Sequence, residues 1–224
     1  MKTVRGIFLL LLLSASLTGA TQHALLPESV SAKYKVLIAY FTWGENTALA
    51  PSGSAAFDVE TSASLTVGNT AIMAGYIEAV TGGDLFSIVV ADPYPSDYNG
   101  CLSRAKREQA KNARPALKRS VENMDDYDIV FLGYPNWWNT IPMAVRTFLE
   151  QYDFGGKTVI PFCAHGTGGL ARTVRDIRSA LPQATVLDAL GISRSDMKNA
   201  KTLVTAWLAE LGFGTQDSPV SRSD

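Results

Sequence analysis

The stretch Asp128-Ile-Val-Phe-Leu-Gly-Tyr-Pro-Asn-Trp-Trp-Asn-Thr-Ile-Pro142 decides the fold that we predict for this chain. Its residues 129–132 are a continuous apolar run, which is typical of a strand buried on both faces of a parallel sheet. Gly133 and Pro135 then end the strand, and Pro142 suits the first turn of a following helix. The stretch therefore predicts a buried strand, a loop and a helix, in that order.

The loop of this stretch contains three large aromatic residues, Tyr134, Trp137 and Trp138, among residues that favour turns. In an open α/β sheet such a loop lies at the carboxyl edge of the strands, where ligands bind. Two adjacent Trp side chains with no charged residue beside them predict a platform for a flat aromatic ligand. The alternative is that both rings cap the hydrophobic core, since Trp is rarely fully buried.

The rest of the chain alternates between predicted strands and predicted helices. The strands cover residues 34–41, 85–90, 129–132, 157–163 and 184–190, and the helices cover residues 69–80, 98–112, 143–151, 170–180 and 197–211. This alternation predicts one three-layer, doubly wound α/β domain with a five-stranded parallel sheet. Pro161 fits a strand only near an irregularity or an edge, and Asp196 is the predicted cap of the last helix.

A long segment, residues 42–67, separates the first strand from the first helix. It is rich in Ser, Thr, Ala and Gly and has no helical or strand period. Loops of this length are uncommon in compact domains and are usually functional. We therefore expect the segment to shape access to a ligand rather than to complete the core.

The composition indicates a globular domain with a sizeable core, because 46% of the 224 residues are hydrophobic. Without Lys2 and Arg5 of the predicted signal peptide, the 20 basic residues become 18 against 21 acidic ones, and this net charge of about −3 is too small to predict a nucleic acid or a membrane surface as a partner. Two cysteines, Cys101 and Cys163, exclude a disulfide scaffold, and we expect no bridge between a helical residue and a residue at a strand end. His23 and His165 are the only histidines, so no metal cluster is predicted.

The N-terminus is typical of a secretory signal. Lys2 and Arg5 precede an apolar run over residues 6–17, and small residues follow up to a predicted cleavage site after Ala20. An uncleaved anchor is the alternative, although the run is short for a membrane span. We expect a secreted or periplasmic protein with a signal peptide over residues 1–20, a linker over 21–33, a domain over 34–213 and a disordered polar tail over 214–224.

Small and hydroxyl-bearing residues lie at both ends of the first strand–helix junction. The strand is followed by Thr42-Trp-Gly-Glu-Asn-Thr47, and Val67-Gly-Asn-Thr70 opens the helix. A helix N-terminus offers free N–H groups and the positive end of the helix dipole, so these residues can hold a phosphate without Lys or Arg. Asn69 or Thr70 is equally suited to be an ordinary N-cap, and the local residues do not decide between the two interpretations.

Several short motifs occur together in this chain. They are Tyr40-Phe-Thr42, Gly68-Asn-Thr70, Gly133-Tyr-Pro135 followed by Trp137-Trp138 and Pro142, Asp92-Pro-Tyr-Pro95, Phe148-Leu-Glu-Gln-Tyr-Asp153 and Pro161-Phe-Cys-Ala-His165. Together they resemble the flavodoxin-like FMN-binding proteins over residues 34–213. The distance between Gly44-Glu-Asn46 and Gly68-Asn-Thr70 is similar to that in the branch with an insertion between strand one and helix one.

The resemblance implies a flavodoxin-like sheet of order 2-1-3-4-5 and non-covalent FMN. It implies a phosphate site containing Thr42, Gly68, Asn69 and Thr70, while the insertion leaves open which of Thr42, Trp43, Asn46 and Thr47 contact the phosphate. It implies a ring site containing Tyr134, Pro135, Asn136, Trp137, Trp138, Asn139 and Thr140. A third ligand-facing loop contains His165, Gly166, Thr167, Gly168 and Gly169, and His165 is the best candidate for a catalytic proton donor.

The resemblance also implies a function in electron transfer. We expect an FMN-dependent oxidoreductase that takes electrons from NAD(P)H and reduces a quinone-like acceptor. One alternative is a non-enzymatic FMN electron carrier that docks redox partners through an acidic rim, and another is a flavin-free binding module of the same fold. The mild net charge favours the enzyme over the carrier. We expect no nucleic acid and no stable membrane association, and a homodimer is left open.

Overall fold

The computed structural model describes residues 34–47 and 68–214. The predicted signal peptide, the linker, residues 48–67 of the 42–67 segment and the tail after Gly214 lie outside these ranges, so they stay predictions. Within the described ranges, no helix is both long and apolar enough to cross a membrane.

The described strands form one parallel sheet. They are β1 (Val36–Tyr40), β2 (Asp84–Ser87), β3 (Ile129–Pro135), β4 (Thr158–His165), β5 (Thr185–Val186) and β6 (Leu190–Ser193). The order across the sheet is β2-β1-β3-β4-β5, and β6 also pairs with β4. The predicted order 2-1-3-4-5 is confirmed, with β5 and β6 sharing the fifth position.

The break between β5 and β6 lies opposite Pro161. The strand β4 pairs with β5 at Thr158 and Val159, and it pairs with β6 from Phe162 onward. Proline has no N–H to donate. A continuous strand beside β4 would therefore miss one backbone hydrogen bond at Pro161. The predicted continuous strand over residues 184–190 is therefore wrong, whereas the irregularity expected near Pro161 is confirmed.

Five α-helices cover the two faces of the sheet in the described part of the chain. They are α1 (Asn69–Thr81), α2 (Tyr98–Ala110), α3 (Met143–Glu150), α4 (Thr173–Ala180) and α5 (Ala200–Glu210). Buried residues of α1 and α5 pack on one face, and those of α2, α3 and α4 pack on the other. This arrangement confirms the predicted three layers. Cys101 and Cys163 are buried and free, as expected.

Two helix starts differ from the prediction. The helix α4 begins at Thr173 rather than at residue 170, because Thr173 N and Oγ1 both donate to Leu170 O in a preceding turn. The last α-helix begins at Ala200, after the 3₁₀ helix Arg194–Asn199. Asp196 lies inside that 3₁₀ helix and accepts a hydrogen bond from Ser193 Oγ. Its predicted role as the helix cap is wrong.

The first residues of the 42–67 segment belong to the core. Asn46 is only 1% exposed. Its Nδ2 donates to Thr42 O and Ile88 O at 2.8 and 3.0 Å, and its Oδ1 accepts from Val90 N at 2.7 Å. This amide connects the end of β1 to the chain that follows β2. The expectation that the segment does not complete the core is therefore wrong for residues 42–47.

Gly133 is required by the packing of the sheet against Phe162. A Cβ at position 133 would lie 2.2 Å from Phe162 Cζ, whose ring is fully buried. We expect Gly133→Ala to lower the free energy of unfolding by about 1–3 kcal/mol, measured by urea denaturation.

Gly75 provides the matched control, because a Cβ there meets no atom within 4 Å and the residue lies inside α1. Gly75→Ala should raise the free energy of unfolding by about 0.5–1 kcal/mol. Equal effects of the two substitutions would contradict this packing.

Candidate functional site

Two adjoining clefts open at the carboxyl edge of the sheet. We call the first the α1 cleft; it lies at the start of α1 and encloses about 540 Å³ including its open mouth. We call the second the outer cleft; it lies between α2 and the β3–α3 loop, and its space including the open mouth is about 1030 Å³. The two clefts form one continuous site, because they share Trp43, Asn136, Trp137 and Gly166.

Most of the predicted site residues line these clefts. The α1 cleft contains Thr42, Trp43, Asn69, Thr70, Pro135, Asn136, Trp137, His165 and Gly166. The outer cleft adds Trp138, Asn139, Thr167 and Gly168. The structure thus brings together residues from the three loops that the sequence singled out.

Four predicted site residues line neither cleft. Gly68 is the N-cap of α1, and Tyr134 is fully buried in the core. Thr140 is buried and donates to Asp176, whereas Gly169 accepts a hydrogen bond from Asn136. These four residues do not line the ligand-free clefts, and whether they contact a ligand stays a prediction.

The α1 cleft is suited to an anion. The first bond of the helical ladder runs from Ile72 N to Gly68 O, so the N–H groups of the preceding helical residues are not used by the ladder. The N-cap residue is Gly68 and makes no side-chain cap bond, so the interpretation of Asn69 or Thr70 as the cap is wrong. Thr42 and Thr70 line the cleft at 3% and 2% exposure.

No Lys or Arg side chain from the described ranges lines the α1 cleft. Its binding groups are backbone N–H donors, two hydroxyls and the positive end of the α1 dipole. Such a set is typical of phosphate sites that do not use a basic side chain.

Trp137 lines both clefts and packs against the core at the same time. Its ring makes edge contacts with Phe41 and Tyr94, with centroid distances of 5.3 and 5.2 Å. Phe41 and Tyr94 also contact each other at 5.9 Å. Both interpretations made from the sequence therefore apply to Trp137, which caps the core and lines the site.

Trp138 has a different role from its neighbour. Its side chain lies against α2, where Nε1 donates to Leu102 O at 3.0 Å and the Lys106 ammonium lies 5.0 Å from the ring centroid. The side chain is 39% exposed, so Trp138 does not cap the core. The two indoles are held by separate contacts, and Trp138 forms the outer wall of the outer cleft.

The two Trp residues separate because the loop makes a tight turn. Trp137 and Thr140 exchange two backbone hydrogen bonds of 3.0 and 3.1 Å, and Trp138 and Asn139 have φ of 52° and 64°. These features describe a type I′ turn. A positive φ at Trp138 costs on the order of 1–2 kcal/mol. The turn is fixed from behind by the bond of 2.5 Å from Thr140 Oγ1 to Asp176.

Asn136 offers a ligand an unused acceptor. Its Nδ2 donates to Gly169 O at 2.6 Å, and its backbone N–H donates to Ala164 O at 3.0 Å. Its Oδ1 is buried and has no hydrogen-bond partner among the described residues. Buried acceptors normally have a hydrogen-bond partner, so a donor on a ligand would supply the partner that Asn136 Oδ1 lacks.

His165, the last residue of β4, also lines the α1 cleft. Its Nδ1 is 2.8 Å from Gly166 O, an arrangement in which Nδ1–H donates to the carbonyl. The neutral ring then presents Nε2 as an acceptor.

The wall formed by α2 was missed by the sequence analysis. Tyr98, Cys101 and Leu102 line the outer cleft, as does Arg194, the first residue of the 3₁₀ helix after β6. The missed signal was an apolar stripe at positions 98, 101, 102 and 105 of an otherwise polar helix. Burial, with a contribution from Glu108, raises the pKa of the Cys101 thiol to about 12, so Cys101 is an uncharged wall residue rather than a nucleophile.

The loop before α2 is fastened to that helix by a compact polar group. Tyr94 donates to Glu108 Oε2 at 2.7 Å, and Arg104 donates to Glu108 Oε1 and Pro93 O, both at 2.8 Å. Burial, strengthened by the bond to Glu108, raises the pKa of Tyr94, so its phenol stays protonated and continues to donate. These bonds hold Tyr94 in place beneath Trp137.

The different contacts of the two Trp residues predict different effects on stability. Trp137→Ala should lower the free energy of unfolding of the ligand-free protein by about 2–4 kcal/mol, because it removes the contacts with Phe41 and Tyr94. Trp138→Ala should change it by less than about 1 kcal/mol, because the side chain is 39% exposed and alanine keeps the same backbone conformation. Urea denaturation measures both values, and a larger loss at Trp138 would contradict the assignment.

Comparisons with known proteins agree with this geometry. The model of the flavodoxin family matches residues 60–211. A structure assigned as a flavoprotein of Bacteroides eggerthii is 31% identical, has a TM-score of 0.60, and the match covers 80% of this chain and 98% of the other. A second structure assigned as a flavoprotein, from Bacteroides uniformis, is 25% identical with a TM-score of 0.59, covering 77% and 98%.

A flavoprotein of Lactobacillus acidophilus, solved in complex with FMN, is 20% identical with a TM-score of 0.52, covering 76% of this chain and 98% of the other. At that identity it supports the fold alone. No curated protein matches the sequence. Because the family model spans more than half of the chain, and the sheet order and ligand-facing loops agree with it, this chain is a member of the flavodoxin family.

Proposed function

We propose that this chain binds FMN across the two clefts and works as an FMN-dependent oxidoreductase. The observation that carries the proposal is the continuity of an anion site with an aromatic cleft. The α1 cleft supplies N–H and hydroxyl donors, the outer cleft supplies Trp137 and Trp138, and Asn136 lines both. FMN has matching parts, a phosphate joined through a ribityl chain to a flat ring.

The residues present fit FMN in three respects. The start of α1, with Thr42 and Thr70, would hold the phosphate. The unpartnered Oδ1 of Asn136 would accept from an N–H or O–H group, which both the flavin ring and the ribityl chain carry. Trp137 and Trp138 would contact the ring and keep water from it.

Bound FMN supplies the two-electron redox chemistry, and the protein supplies binding and orientation. In the proposed net reaction NAD(P)H is oxidised by loss of a hydride, and a quinone-like acceptor is reduced. The acceptor gains two electrons and two protons, one proton coming from the dihydronicotinamide and one from water. His165 is the candidate to hold that second proton at Nε2, and Asn136 positions the ligand.

The residues that line the outer cleft do not support the alternative of an electron carrier with an acidic docking rim. An acidic docking rim was expected for a carrier, but no Asp or Glu from the described ranges lines this cleft. The lining instead includes Arg194, and Lys106 lies over Trp138.

A phosphate site built from neutral groups predicts a difference between FMN and riboflavin. FMN should bind the apo-protein more tightly, and Thr70→Val should raise the FMN Kd by about tenfold to a hundredfold, because it removes a hydroxyl bond to a charged group. The riboflavin Kd should stay unchanged, since riboflavin has no phosphate. Fluorescence titration measures both, and the exposed Thr202→Val is the matched control. Equal losses for both ligands would place the phosphate elsewhere.

The experiment on function is rapid mixing of the FMN-loaded protein with NADH or NADPH, followed by addition of naphthoquinone. We expect the nicotinamide donor to bleach the flavin absorption and the quinone to restore it. Bound flavin that is reduced by dithionite but by neither nicotinamide would favour the carrier. A protein that retains no flavin would support the flavin-free binding module.

A further inference from the structure

Two ligand-facing loops lie side by side at the outer cleft. The first is the type I′ turn of residues 137–140, which we call the tryptophan turn. The second connects β4 to α4 over residues 166–172, and we call it the glycine loop. Together they supply these residues of the cleft lining: Trp137, Trp138, Asn139, Gly166, Thr167 and Gly168. The shape of the cleft therefore depends on how the two loops are held.

Both loops contain backbone conformations that are unfavourable for residues with a side chain. In the tryptophan turn, φ is 52° at Trp138 and 64° at Asn139, and in the glycine loop φ is 46° at Ala171. Residues of this kind keep a positive φ only where the surrounding contacts enforce it. Both loops therefore depend on bonds that hold them in place.

Two hydrogen bonds join the loops directly. Asn136 Nδ2, immediately before the tryptophan turn, donates to Gly169 O at 2.6 Å. Arg172 N of the glycine loop donates to Asn139 O at 3.2 Å. The loops are also packed closely, because a Cβ at Gly168 would lie 3.3 Å from Asn136 Nδ2. A movement of one loop therefore disturbs the contacts of the other.

Asp176 of α4 binds both loops at once. Its Oδ2 accepts from Thr140 Oγ1 of the tryptophan turn at 2.5 Å and from Arg172 Nε of the glycine loop at 3.0 Å. The helical turn that carries Asp176 is fixed in the core, since Thr173 and Ile177 are 0% exposed. Hydrogen bonds to a carboxylate are stronger than those between neutral groups. Asp176 lines neither cleft, so it acts on the site through the two loops.

We propose that Asp176 is a positioning residue that joins the tryptophan turn and the glycine loop into one unit, and that this unit keeps the outer cleft in the shape that binds the acceptor. The inference rests on the proposed function for the identity of that acceptor as a quinone. Without the carboxylate, the strained turn opens in part of the molecules. The apparent affinity for the acceptor then falls in proportion to the fraction that stays closed.

Hydrogen exchange of the full chain, measured by NMR with FMN and without it, tests the joined loops independently of turnover. Thr140→Val removes the donor in the tryptophan turn and leaves Arg172 unchanged. We expect the Arg172 amide, in the other loop, to exchange about tenfold faster in this variant, because its acceptor Asn139 O moves when the turn opens. Asp176→Ala should have the same effect, and the double variant should add little to either single one.

Asp176→Asn keeps an acceptor oxygen, so it should restore part of the protection of the Arg172 amide. In every variant the loop amides should exchange faster than those of β3, which shows that the loops open without global unfolding. Asp188→Asn is the matched control, because Asp188 pairs with Arg178 of the same helix at 2.8 Å. It should leave the exchange of the Arg172 amide at the wild-type rate.

The inference is overturned if Thr140→Val speeds exchange only within the tryptophan turn. It is also overturned if Asp188→Asn affects the Arg172 amide as strongly as Asp176→Ala does.

Titration and turnover with 1,4-naphthoquinone separate this inference from the proposed function. The oxidised FMN-loaded protein transfers no electrons to the quinone, so titration gives its Kd directly. We expect Asp176→Ala to raise the quinone Kd and KM by about threefold to tenfold and to change kcat by less than about twofold, because a saturating acceptor closes the cleft.

Quinone reduction by Asp176→Ala with the wild-type KM overturns the inference and leaves the proposed function standing. Absence of quinone reduction by the wild type, together with coupled exchange of the two loops and a raised quinone Kd in Asp176→Ala, overturns the proposed function and supports the positioning role of Asp176.

Discussion

The edge contacts of the Trp137 ring with Phe41 and Tyr94 are the interaction on which the ligand-binding edge depends. The three residues come from the end of β1, the loop before α2 and the loop after β3, so their rings join three separate connections. Aromatic pairs of this kind contribute about 0.5–1.5 kcal/mol each beyond burial of area. Tyr94 is itself held by Glu108, so the group is anchored to α2 as well as to the core.

The two ends of the site differ in how firmly they are built. At the α1 cleft, Asn46 satisfies three backbone groups and fixes the residues after β1, which sets Thr42 beside the start of α1. At the outer cleft, Trp138 is exposed and stands in a strained turn that Thr140 and Asp176 hold from behind. The firm end suits a constant group such as a phosphate, and the open end suits an exchangeable substrate.

The alternation of strands and helices followed from local patterns, because buried parallel strands leave apolar runs. The strand order and the assignment of most site residues came instead from the resemblance to flavodoxin-like proteins. Three features required tertiary information. The break between β5 and β6 depends on which strand lies opposite Pro161. The separation of Trp137 from Trp138 depends on a type I′ turn. The residue types do not predict this turn, since Trp rarely takes a positive φ. The α2 wall was hidden because its short apolar stripe lies among many charges.

The central claim is that a neutral set of donors at the start of α1 holds the phosphate of FMN. Phosphorus NMR of the FMN-loaded protein, after removal of free flavin, tests it most directly. The free phosphate monoester loses its second proton with a pKa of about 6. Donors and the helix dipole stabilise the dianion and lower that pKa, so the bound resonance should not shift between about pH 5.5 and 8. A bound resonance that titrates like that of free FMN would contradict the account. So would a protein that loses all of its flavin when the free flavin is removed.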